Sequence, residues 1–179
     1  MIIDITYFFE DIQIGQLSEQ SVQDKVILLI QQTEPKILKG LLGYETYKLL
    51  MAENPESRFV DLKNGIEYTD KNGLLKKWEG LAQPTLKISL IACYVYYKYQ
   101  RNQVTTTSGT GEGKTQTQNA IPISAMDKMA SAWNKMVSLN KELYCFLNAK
   151  KDVYTEWYNW VTKEGPNSEF FENINSLNL

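Results

Sequence analysis

The sequence predicts a mainly α-helical protein: a helical bundle with a long central helix, a small β-hairpin or ordered loop inserted between helices, and extended N- and C-terminal arms. Three observations carry this. Met126, Met129, Trp133, Met136, Val137, Leu143 and Leu147 recur at spacings of three and four, which places them on one helix face. The stretch LKISLIACYVYYKYQR is apolar almost all the way round, the mark of a helix enclosed by others; at 16 residues without glycine or proline it exceeds an ordinary strand. Between 54 and 73 the character switches to short apolar runs punctuated by Asn64-Gly65 and Asn72-Gly73, a strong short-range hairpin signal.

At 179 residues the chain is sized for one domain with appendages, divided as an N-terminal arm 1–17, a bundle 18–163 and a C-terminal tail 164–179. Residues 2–9 (IIDITYFF) are β-branched and aromatic and read as a short strand or extended arm. Val22, Val26, Leu29 and Ile30 give a first helix, with Ser18 or Ser21 available as N-cap and an end near Thr33. Pro35 restarts a helical turn that breaks at Gly40 and Gly43 and resumes through Tyr47, Leu50 and Met51. In the 54–73 insertion, Phe59, Val60 and Leu62 precede the first Asn-Gly, and Ile66 and Tyr68 follow it. A helix is expected from about Leu74 with Trp78 and Leu81 facing inward, kinked or restarted at Pro84 into the central helix. Residues 104–121 then form a long flexible loop of Thr, Gly, Gln and Ser. The Met-rich helix opens at Pro122 and Ser124, its stripe interrupted by Asn140. A second stripe (Val153, Tyr154, Trp157, Tyr158, Val161) runs to Lys163 and stops at Gly165-Pro166. In the tail Phe170, Phe171, Ile174 and Leu177 share one helical face, separated from the body.

Composition narrows the chemistry. The chain contains no histidine, the commonest general base and metal ligand, so catalytic, cofactor-binding and metal sites are all expected to be absent. Asp127, Glu142, Asp152 and Glu156 fall on polar faces. Cys93 and Cys145 lie within apolar helical patterns and read as small core residues of a protein kept in a reducing compartment. The opening MIIDITYFFEDIQIG carries acids where a secretory signal needs a basic region, so no secretory signal is expected, and no apolar run reaches membrane length.

The formal net charge of −2 hides a segregation. Residues 1–80 carry nine Lys/Arg against thirteen Asp/Glu, residues 81–151 nine against three, and residues 152–179 one against five. Solvated helix faces account for such runs, and so does head-to-tail packing of identical chains. A small DNA-binding packaging or regulatory protein using Lys87 to Lys151 is the alternative; with only two arginines, Arg58 and Arg101, it ranks second.

Two further features look chemical. Gly113-Lys114-Thr115 matches the end of a phosphate-binding loop, but Ser108 stands where the first glycine belongs and no strand–loop–helix context surrounds it, so a solvated loop is the better reading. Four tryptophans and eleven tyrosines exceed what one small core requires. Trp157, Trp160 and the Phe170-Phe171 pair either complete the body or anchor a partner, as Trp and Tyr do at protein interfaces. The candidate partner interface therefore comprises Trp157, Trp160, Phe170, Phe171 and Ile174, with Thr105, Thr106, Thr107 and Lys114 of the loop.

The order of signals carries a resemblance. LLGYETYKLL, then RFVDLKNGIEY, then WEGLAQPTLKISLIACYVYYKYQ, a Thr/Gly loop starting VTTTSGTG, and SAWNKMVSLNKELYCFL resemble, over residues 20 to 150, head-tail connector proteins of tailed phages, most of all the ring or adaptor proteins of crAss-like and related Bacteroidetes phages. The resemblance implies a helical bundle made in the host cytoplasm and assembled at the head-tail junction of the virion as a homo-oligomeric ring, commonly of twelve subunits. It also implies contact with the portal protein and with other tail or ring proteins, and DNA passing through an axial channel without sequence-specific binding. The 104–120 loop is expected to reach a second ring component or line the channel.

Overall fold

The computed structural model describes residues 1–108, 111–114 and 123–175, and among them the fold is mainly helical. Five α-helices are present in the described residues: α1 (Gln20–Leu50), α2 (Ser57–Asn64), α3 (Leu90–Val104), α4 (Ile123–Ala149) and α5 (Thr155–Lys163). Two antiparallel hairpins accompany them, β1 (Ile66–Thr69) with β2 (Leu75–Trp78), and β3 (Thr105–Ser108) with β4 (Gly111–Lys114).

The central helix is α3, as its apolar circumference requires. Every residue from Leu90 to Tyr97 is buried, enclosed chiefly by α4 and α1. Ser89 starts it: its Oγ accepts from the amides of Ile91 (3.1 Å) and Ala92 (3.3 Å) and donates to the Leu81 carbonyl (2.7 Å), which ties the cap to the preceding loop. The α4 stripe packs against it through Met129, Trp133, Met136, Val137 and Leu143.

The first helical region differs from expectation. α1 runs through Pro35 and does not end at Thr33, because Ile30, Ile37, Leu38, Leu41 and Leu42 all bury on the same core and hold the helix past the missing donor. Gly40 stays helical; a Cβ there would lie 2.7 Å from the Phe170 ring. The break falls at Gly43 alone, at φ 75° and ψ 164°, a conformation open to glycine. Glu19 stands at the N-cap, so neither Ser18 nor Ser21 caps the helix.

The insertion is also rearranged. Phe59 and Leu62 lie one helical turn apart and are buried on α2, so Gly65 ends a helix where a hairpin turn was expected. The hairpin lies downstream, with Ile66 opposite Trp78 and Thr69 opposite Leu75. Asp70 builds its turn: Oδ1 accepts from Asn72 (2.8 Å) and Leu74 (3.0 Å), and Oδ2 pairs with Lys76 Nζ at 3.0 Å. Leu74 to Trp78 is therefore turn and strand, not helix, although Trp78 and Leu81 do point inward. Trp78 stacks on Phe146 at 5.8 Å and donates Nε1–H to the Leu62 carbonyl at 2.9 Å, fixing the base of the hairpin to α4 and α2.

The N-terminal arm contains no strand. Two 3-10 turns, Ile5–Tyr7 and Glu10–Ile12, lie within extended backbone, and Ile3, Tyr7, Phe8, Ile12 and Ile14 are buried against the body. Glu34 of α1 holds the arm: its Oε2 accepts from the amides of Ile2 at 2.8 Å and Ile3 at 3.2 Å. Within the 104–121 loop the backbone of Thr105–Ser108 pairs with that of Gly111–Lys114 as a hairpin; residues 109–110 and 115–122 lie outside the described residues.

Candidate interaction surface

The C-terminal tail is built onto the bundle, which corrects the expectation of a detached segment. After Gly165-Pro166 the chain forms a 3-10 turn, Ser168–Phe171, and the Asn167 amide donates to the Gly40 carbonyl at 3.1 Å. Three side chains of α4 then grip the tail backbone. Asn140 donates to the Phe170 carbonyl (2.9 Å), and Trp133 Nε1 donates to the Glu172 carbonyl (2.8 Å). Asn134 donates to the Ile174 carbonyl and accepts from the Ile174 amide, both at 2.9 Å. Asn140, the interruption in the α4 stripe, is thus a buried amide bonded to a backbone carbonyl.

These contacts redistribute the candidate interface residues. Trp157 and Phe170 are each only 1% exposed and close this chain's own core. Trp157 Nε1 donates to the Leu41 carbonyl at 3.2 Å, and the Phe170 ring meets Tyr94 edge-on at 5.6 Å. Neither is open to a partner, because the tail and α5 supply the cover that the helices alone lack. Trp160, Phe171 and Ile174 are half-buried and keep an outer face. The side chains of Thr105, Thr106, Thr107 and Lys114 lie outside the described residues, as does Leu177. Cys145 is exposed on α4, correcting its assignment to the core, whereas Cys93 is buried and its thiol is pushed up to about 11 by desolvation.

Two open concavities border the half-buried aromatics. One, of roughly 570 Å³, lies between α4, α5 and the tail and is lined by Tyr144, Cys145, Val161, Pro166 and Phe171, with Lys141 and Glu172 among its polar groups. The other, of roughly 240 Å³, lies at the Gly43 break and is lined by Tyr44, Glu45, Thr46, Asn159, Trp160 and Glu164, with Leu42, Glu156 and Lys163. Trp160 covers that break and donates Nε1–H to Glu164 Oε2 at 3.0 Å. Both concavities can hold the side chains of another chain, one by apolar contact and the other by charge and aromatic faces.

The charged scaffold is set by Arg58, whose two terminal nitrogens reach Glu156 Oε1 and Oε2 at 3.0 Å each, in fork geometry. It also donates to the Val153 carbonyl and covers the Phe59 ring at 4.6 Å, and its own carbonyl accepts from the Tyr154 hydroxyl at 2.6 Å. These bonds staple α2 to the start of α5. The Arg58 hydrogen bonds hold the Glu156 carboxyl below its usual range, and Glu156 in turn raises Arg58. Burial pushes the Tyr94 hydroxyl up to about 12, and burial together with Arg101 and Lys36 lowers Lys98.

The sequence pattern did not single out Glu34, Glu45, Thr46, Asn134 or Glu164. Glu34 alone had a legible signal, a charge at the apolar spacing set by Ile30, Ile37 and Leu38; Asn134 acts on a residue 40 positions away, and Glu45, Thr46 and Glu164 are gathered only where α5 passes the Gly43 break. Among the described residues no group of three or more Cys, Asp or Glu could hold a metal ion, and no helix is long and apolar enough to cross a membrane. Comparison with family models, with curated proteins and with solved structures finds no match for this chain.

Proposed function

We propose that this chain is a structural subunit of a phage virion, a head-tail connector or adaptor that assembles as a ring below the portal around the DNA channel. The observation that carries the proposal is the separation of charge. Exposed positions of α4 present Lys128 and Lys135, whereas the chain after α5 carries exposed Glu164, Glu169 and Glu172. Opposite signs on different parts of one surface suit a heterologous contact, in which each copy offers one flank to the other flank of the next and the series closes. The resemblance over residues 20 to 150 supports the same role and supplies the copy number of twelve, the portal and neighbouring tail or ring proteins as partners, and unspecific passage of DNA. No catalytic step is assigned to the chain.

The test is electron microscopy of the purified protein, alone and with a portal, beside sedimentation velocity at low and high salt. Closed rings that loosen as salt rises support the connector role. A monomer at every concentration, with appreciable duplex-DNA affinity and a steep salt slope in fluorescence anisotropy, supports the packaging or regulatory protein instead.

A further inference from the structure

We infer that the pocket at the Gly43 break is an acceptor for a lysine side chain presented by α4 of a second copy of this chain; this rests on the self-assembly proposed above and names its contact. The pocket lies where α5 passes over the interruption in α1, and at roughly 240 Å³ it is below the usual range for small-molecule sites, about 300–1,000 Å³. That volume suits one long side chain.

Its chemistry selects a cation. Glu45, Glu156 and Glu164 line it against a single Lys163. Glu156 is engaged by Arg58, while Glu45 and Glu164 retain carboxylate oxygens for an incoming donor. Tyr44, 64% exposed, and Trp160 add aromatic faces, and Lys39 Nζ already stands 5.7 Å from the Tyr44 ring centre. A separate observation points to a missing donor. Thr46 lines the same pocket, is 1% exposed, and its Oγ1 has no hydrogen-bond partner. A buried hydroxyl left this way is costly, and an ammonium with three N–H donors satisfies it together with two carboxylates.

The charge of the chain identifies the occupant. Arg58 is committed to Glu156, and the exposed cations of the basic middle segment that α4 displays are lysines, with Lys128 and Lys135 two helical turns apart on one side. The cleft around Lys135, lined also by Phe9, Glu10 and Lys87, shares no residue with the Gly43 pocket. Donor and acceptor are therefore different surfaces of one molecule, as a repeating head-to-tail contact demands.

The test mixes unlabelled and 15N-labelled protein, cross-links carboxylates to amines with a zero-length carbodiimide, and reads the products by mass spectrometry. Mixed-isotope links from Glu45 or Glu164 to Lys128 or Lys135 are expected. Glu45→Gln with Glu164→Gln weakens self-association about tenfold in sedimentation velocity, with an unchanged thermal melt, since both side chains are exposed. Exchanging both pairs in one chain (Glu45→Lys, Glu164→Lys, Lys128→Glu, Lys135→Glu) restores association. If rings form but the neutralised variant assembles as the parent does and the links fall elsewhere, this contact is wrong and the connector role survives. A chain that stays monomeric throughout overturns both.

Discussion

Asn134 and Ile174 exchange two hydrogen bonds: the side-chain amide gives one to the Ile174 carbonyl and takes one from the Ile174 amide, each at 2.9 Å across 40 residues of sequence. The side chain acts as one rung of a β-ladder, and it holds the tail without any regular element there.

Asn134→Ala removes donor and acceptor together, leaving the Ile174 carbonyl and amide without their partner. The expected cost is about 1 kcal/mol in urea denaturation, with faster hydrogen exchange at the Ile174 amide. Unchanged exchange at that amide refutes the clamp.

Gly43→Ala meets two obstacles at once. Its φ is positive, and its Cβ would stand 2.6 Å from Trp160 Cγ. A loss of about 2–3 kcal/mol is expected, seen as a lower melting temperature. Adding Trp160→Ala removes the collision but not the backbone strain, so the two costs combine to less than their sum.

Arg58→Met removes the fork to Glu156. A carboxyl whose folded pKa lies below its ordinary 4.5 stabilises the fold above that value and ceases to do so as pH falls through the folded pKa. Parent stability therefore drops between about pH 5 and the acid end, and the variant has a shallower slope over that window. Chemical denaturation at stepped pH reads both; equal slopes would discard the staple.

Cys145 reacts with a disulfide reagent in the native state, whereas Cys93 waits for unfolding. With its folded pKa raised to about 11 from 9.0, Cys93 favours folding fully below 9, and that contribution is lost as pH rises toward 11. Cys93→Ala flattens the lower part of the alkaline decline. Tyr94, pushed to about 12, adds to the decline at higher pH. Two fast thiols per native chain contradict this arrangement.

What could be read from sequence was whatever depends on spacing within one element. α3, α4 and α5 lie where their apolar positions put them, and Asn140, which interrupts the α4 stripe, is buried with it. The insertion misled because Asn64-Gly65 serves equally as helix stop and hairpin turn, and the Phe59–Leu62 spacing decides between them. The tail was illegible for another reason. Asn134, Trp133 and Asn140 bind main-chain atoms 30 to 40 residues away, and side-chain periodicity carries no trace of such bonds. The surplus of aromatic residues largely vanished with it, since Trp157 and Phe170 became interior.

Glu34 grasps peptide amides at positions 2 and 3, not the side chains attached to them. Ile3 is confined by its buried surroundings, while Ile2 is half-buried at the edge of the core and owes the fold an N–H as well as part of an apolar side chain. Saturation mutagenesis at position 2 should rank apolar residues first, charged ones lower and proline last, since proline alone has no hydrogen to give.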